Sequence, residues 1–177
     1  PTRSTAVTGG PLVMTDQGFG FLSGTAITAI PGLSDAVARS NPVAVQVGPD
    51  QESAAVRSAD GSVARAEATD DVVVVDTRSG LRDPVIDARG FVWSIPARSP
   101  AALTAFGPGV ESPLLSQPWA AAGAADVQAV SISRDGTRMA GVVRVGDRTE
   151  LWLSGVIRNN DGVPARLGEP IIAGSIE

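Results

Sequence analysis

Between Val127 and Val156 the chain reads VQAVSISRDGTRMAGVVRVGDRTELWLSGV, three apolar-rich runs parted by two turn signals. Val130 and Ile132 share one face of the first run, and Leu151 and Leu153 share one face of the third. Period-two alternation of this kind sends alternate side chains into a core. Arg134-Asp135-Gly136 and Gly146-Asp147 provide the corners, because glycine takes a positive φ without a Cβ penalty. The spacing predicts an up-down-up meander with Ile132, Met139 and Leu151 in its core, the inner part of one β-propeller blade.

The same plan recurs upstream. Residues 11–32 read as strands at Leu12–Met14, Phe19–Leu22 and Ala26–Ile30, with turns at Asp16-Gln17-Gly18 and Ser23-Gly24. Residues 43–75 place a strand in PVAVQV, a turn at Gly48-Pro49-Asp50, and further strands around Ser53–Arg57, Ser62–Ala66 and Val72–Val75. Residues 82–106 enter a strand at Asp83-Pro84, turn at Asp87-Ala88-Arg89-Gly90, and return through Phe91, Trp93 and Ile95 on one face. The fourth unit spans residues 127–170, with Asn160-Asp161-Gly162 leading to an outer strand and Ile171-Ile172 read as the start of another blade. A small meander cannot bury its own faces, so repeats of roughly 35 to 45 residues point to radial stacking. The expected fold is all-β: a partial β-propeller of about four antiparallel blades in one domain, stopping inside the propeller, with no helix beyond a short turn.

Composition narrows the chemistry. The 177 residues carry a net charge of −5, which argues against nucleic acid, a partner that needs a basic face. There is no Cys, His or Tyr, and all fourteen basic residues are Arg. These absences exclude a Ser-His-Asp triad, an ordinary zinc site, a Walker-type phosphate loop and a Schiff base. Carboxylate chemistry or an oxygen-ligand calcium site survives. The uncharged stretch Gln17–Ser34 is broken by Gly18, Gly20, Gly24, Pro31 and Gly32, and reads as turn-linked strands rather than a membrane span. GFGFLSG lacks the G-x-G-x-x-G spacing and has no helix after it, so its glycines read as strand glycines. Asp70-Asp71 are neighbours on opposite strand faces, and read as the end of a loop rather than a catalytic pair.

Three segments in order, RDPVIDARGFVWSIP, VQAVSISRDGTRMAGVV and VIRNNDGVPARLGEP, resemble the β-propeller domain of the LpqB family of actinobacterial cell-envelope lipoproteins. The resemblance runs from about Val13 to Glu169. It implies an N-terminal lipid-attached Cys and a GerMN-type domain lying outside this sequence, and a further blade or two at the C-terminal side. It also implies an extracytoplasmic, lipid-anchored protein that binds the extracellular domain of an MtrB-type sensor histidine kinase. No catalytic motif, metal or cofactor comes with it.

Two classes of function stay open. One is a binding or regulatory module acting through its blade loops, with Trp119 and Arg98 as the expected partner-binding residues and no enzymatic activity. The other is a carboxylate- or calcium-dependent hydrolase of a cell-wall glycan or lactone, built from Asp16, Asp50, Asp87 and Asp135, one per hairpin. Turn chemistry already accounts for those four aspartates, since Asp is favoured before Gly in tight turns. Trp93 likewise reads as core packing rather than as a sugar-stacking surface.

Overall fold

The computed structural model describes residues 12–15, 18–29, 42–49, 53–69, 72–107, 110 and 118–176. Among these residues strands dominate and fall into four antiparallel sheets in chain order. The first holds β1 (Leu12–Thr15), β2 (Gly18–Ser23) and β3 (Ala26–Ala29). The second holds β4 (Pro42–Val47), β5 (Ser53–Ser58), β6 (Val63–Thr69) and β7 (Val72–Arg78). The third holds β8 (Leu81–Ile86), β9 (Val92–Pro96) and β10 (Thr104–Phe106). One helical turn, α1 (Pro118–Ala121), precedes the fourth sheet, formed by β11 (Asp126–Ile132), β12 (Arg138–Val145), β13 (Arg148–Arg158), β14 (Pro164–Leu167) and β15 (Ile171–Ile176).

Apart from β15, which pairs with β13, the sheets pair strands that follow one another in sequence, as short Gly-cornered connections dictate. Strand β8, the first of the third sheet, lies against β4 and β5 of the second sheet and against β11, the first strand of the fourth. The third sheet is therefore covered on both faces. One side packs Ile86, Val92 and Phe106 against Ala55 and Val63 of the second sheet. The other side packs Val85, Trp93, Ile95 and Ala105 against Val127, Met139, Val143 and Trp152 of the fourth. This is the face-to-face stacking expected of propeller blades, and Phe91, Trp93 and Ile95 do share the inward face.

Strand β13 corrects one expectation. Leu151 and Leu153, predicted as inward, are 37% and 41% exposed, whereas Glu150, Trp152 and Ser154 are buried. Both parities of TELWLSGV carry apolar residues, so alternation alone leaves two registers open. The choice is made across the strand: Gly141 on β12 pairs with Trp152 and has no side chain, and that space receives the ring of Trp119. The Trp119 and Trp152 rings then meet edge to face, with centroids 6.2 Å apart and planes at 79°. Each indole finds an acceptor: Trp119 Nε1 donates to Ser154 Oγ at 2.6 Å and Trp152 Nε1 to Glu150 Oε2 at 2.8 Å. Met139 is fully buried as expected, and Ile132 packs at the margin of the same core.

The Ile171 run is also placed differently. Strand β15 folds back onto β13, pairing Ile171 with Leu153 and Ile176 with Thr149, so it completes the fourth sheet instead of opening another.

Candidate functional site

Strand β8 carries a local conflict that the sequence announces. Pro84 has no N–H to offer a ladder and restricts the residue before it. The pairing with β9 accordingly slips between Arg82 and Val85, leaving Asp83 and Pro84 as a bulge. Asp83 sits at φ 52°, the one positive-φ residue other than glycine among the described residues. Aspartate tolerates that left-handed conformation better than most side chains, yet it remains a strained one. Bulges of this kind re-aim side chains, and here Asp83 borders a half-open cleft of about 250 Å³.

The cleft forms where the first strands of three sheets meet. Ala44, Val45 and Gln46 come from β4, Arg57 from β5, Asp83, Pro84 and Val85 from β8, and Gln128, Ala129 and Val130 from β11. Arg57 pairs across the ladder with Ala44 and Val63, and Val63 belongs to the apolar layer between the second and third sheets. Its side chain is thus held between two sheets at their inner edge. Its Nε is enclosed and has no hydrogen-bond partner among the described residues. Asp83 stands 3.8 Å from Arg82 Nη1, while Arg82 Nη2 binds Asp126 Oδ1 at 2.6 Å and the Val127 carbonyl at 2.9 Å. Arg82 is therefore committed to joining the third and fourth sheets, and Arg57 is not committed.

Just beyond the end of β8 lies a closed polar knot. Asp87 is wholly buried and accepts four hydrogen bonds, two on each oxygen. Arg89 N and Phe91 N donate to Oδ1 at 2.8 and 3.1 Å, which holds the turn. Trp93 Nε1 and Arg158 Nη2 donate to Oδ2 at 2.9 and 2.5 Å. Arg158 arrives from the end of β13, also binds the Gly136 and Gly162 carbonyls at 3.1 and 2.9 Å, and stacks over Phe91 with its guanidinium carbon 5.5 Å from the ring centroid. The knot thereby sews the Asp87, Asp135 and Asn159 turns together. Gly136 is required there twice over, by its φ of 67° and because a Cβ would lie 2.8 Å from Arg158 Nη2.

The residues expected to carry function separate on this framework. Asp87 is structural, since all its accepting positions are used within the fold. Asp135 is exposed and turned onto its own hairpin, accepting Ser133 Oγ at 2.6 Å, Thr137 Oγ1 at 2.9 Å and Thr137 N at 3.1 Å. Hydrogen bonds from Ser133 above all, then from Thr137, hold its carboxyl down at about 2. Asp60 is held low in the same way by Ser62. Asp16, Asp50, Asp70 and Asp71 lie outside the described residues. Trp119, expected as a surface anchor, is 1% exposed and belongs to the core. Its ring fills the space that Gly141 leaves, where a Cβ would collide with the indole. Arg98 is exposed on the turn that follows β9.

Arg57, Asp83 and Gln128 escape sequence reasoning. Their signals are slight: one arginine in the small-residue run SAAVRS, and Asp-Pro inside an apolar strand rather than before it. Among the described residues no group of three or more His, Cys, Asp or Glu side chains could hold a metal ion. No helix among them is long and apolar enough to cross a membrane.

Comparison with known proteins adds one finding. The family model for the lipoprotein LpqB beta-propeller domain matches residues 12–176. No curated protein matches the chain.

Proposed function

The chain belongs to the lipoprotein LpqB beta-propeller domain family, and from that membership we propose that it works outside the cytoplasm as the binding module of a lipid-anchored envelope protein. Membership in a lipoprotein domain family supports the envelope part of that reading. The finer reading is ours: the domain engages the extracellular domain of an MtrB-type sensor histidine kinase and modulates its signalling, without turnover of a substrate. Family membership over nearly the whole chain is the observation that carries this reading.

The local chemistry is in keeping with it. Asp87 and Asp135, the described members of the carboxylate set weighed for hydrolysis, are engaged by donors of their own turns and of Arg158. Sheets locked together by such bonds present loops on a rigid frame, which suits recognition. Arg98, exposed on its turn, is the contact residue retained from the sequence.

The test is direct binding of the domain to the purified extracellular domain of the sensor kinase, by biolayer interferometry. We expect saturable binding that weakens on Arg98→Glu and persists in Asp135→Asn. Absence of binding would overturn the kinase reading. Release of product from cell-wall glycan, lost in Asp135→Asn with the fold intact, would overturn the non-enzymatic one.

A further inference from the structure

We propose that the cleft between β4, β8 and β11 binds a carboxylate group, with Arg57 as its anchor. This inference stands apart from the partner proposed above, since it rests only on the cleft and the groups lining it.

Arg57 carries a permanent charge and five donors in a planar fork. Its Nε is removed from solvent and unpaired among the described residues, a state that costs free energy unless an acceptor fills it. The other arginines that join sheets each have a hydrogen-bond partner, although the Nε of Arg158 is enclosed and unpaired like that of Arg57. Arg65 donates to the Gly90 carbonyl at 2.5 Å, Arg82 to Asp126 and Val127, and Arg158 to Asp87, Gly136 and Gly162. Arg57 alone among these four borders a cleft instead of a partner. An anion with two coplanar oxygens matches the fork, and a carboxylate is the smallest such group.

The other walls refine the class. Gln46 and Gln128 face the same cleft and bring amide groups able to donate to a second oxygen. Asp83 would repel a bare anion, but Arg82 lies 3.8 Å away and offsets its charge. Asp83 is better placed to accept an N–H beside the bound carboxylate, and the bulge holds it at the cleft wall in a conformation that costs energy. A carboxylate flanked by an N–H describes an acylated amino acid or the C-terminus of a peptide, whereas a side-chain carboxylate of a polypeptide lacks that close N–H. A volume of about 250 Å³ admits the end of such a group rather than a whole drug-sized ligand.

The experiment follows the Arg57 Nε–Hε resonance in ¹H–¹⁵N spectra of the intact chain during titration with three probes. These are N-acetylglycine, its amide N-acetylglycinamide, and the capped tripeptide acetyl-Gly-Glu-Gly-amide. We expect N-acetylglycine to shift the Arg57 signal saturably and its amide to leave it unmoved. Tighter binding of N-acetylglycine than of the tripeptide would assign the source as a terminal carboxylate, and the reverse order an acidic side chain of a polypeptide. Arg57→Gln, followed through the backbone amides of Val85 and Ala129, should weaken N-acetylglycine binding at least tenfold, and Gln128→Ala several-fold. Arg57→Lys should restore part of the loss. Equal responses to acid and amide would overturn the proposal, as would unchanged affinity in Arg57→Gln. Should Arg57→Gln fail to fold, unchanged affinity in Gln128→Ala together with equal acid and amide responses would overturn it instead.

Discussion

The seam between the second and third sheets and the seam between the third and fourth are built on the same plan, yet they end differently. Each stacks apolar strands face to face and each is crossed by arginines. In the later seam Arg158 binds the buried Asp87 carboxylate through Nη2, with its own Nε unpaired, and Arg82 meets Asp126. In the earlier seam Arg65 closes on the Gly90 carbonyl, while Arg57 reaches the inner edge and closes on nothing among the described residues. The difference teaches which polar groups hold the fold and which it leaves for another use. A buried ion pair is costly to break from one side, whereas an unpaired buried donor is a cost already present.

The largest expected effect is at the closed seam. Asp87→Ala strands the Arg158 guanidinium and the Trp93 N–H in the core, and should lower stability by about 3–5 kcal/mol. Urea unfolding followed by tryptophan fluorescence checks it, and an unchanged midpoint would dissolve the contrast between the seams.

The two arginines of the earlier seam should then respond with opposite sign. Arg65→Met orphans the Gly90 carbonyl and should cost about 1–3 kcal/mol. Arg57→Met removes an unpaired buried donor and keeps an apolar stem, so its midpoint should stay level or rise. A comparable loss in both variants would show that Arg57 is as structural as Arg65.

A smaller effect distinguishes the two faces of β13. Leu151→Ala trims an exposed side chain and should cost about 1 kcal/mol or less, against the 2–5 kcal/mol of a buried leucine. A loss in the buried range would restore the register first read from the alternation.

The smallest effect is confined to acid. The native carboxyl of Asp135, at about 2, lies below its unfolded value of about 3.9. Its contribution is therefore complete above roughly pH 4 and fades as pH falls toward 2. Asp135→Asn should unfold with a shallower pH dependence across that window and the same dependence near neutrality. Acid titrations of the two proteins, followed by circular dichroism, compare them.

Much of the fold is legible in the amino-acid order because its determinants are local. Asp135-Gly136, Asp87 to Gly90 and Asp60-Gly61 are corners whatever surrounds them, and the runs between corners have the length and alternation of strands. Those features alone settle all-β meanders, four sheets, and the placement of Trp93 and Met139 in the core. Tertiary structure decides wherever one stretch satisfies two local answers. TELWLSGV can bury either parity, and only the space above Gly141, filled by Trp119 from a distant turn, selects Trp152 over Leu151 and Leu153. Trp119 itself could sit in water or in the core until that space exists. The Ile171 run could begin a sheet or end one, and its pairing with β13 makes it an outer strand. The fates of the arginines are the least local of all. Asp87 and Arg158 are 71 residues apart, and whether a guanidinium finds a carboxylate or an open cleft depends on which sheets face each other. Periodicity and turn chemistry act over a few residues, whereas pairing a buried charge is settled only after the sheets have stacked.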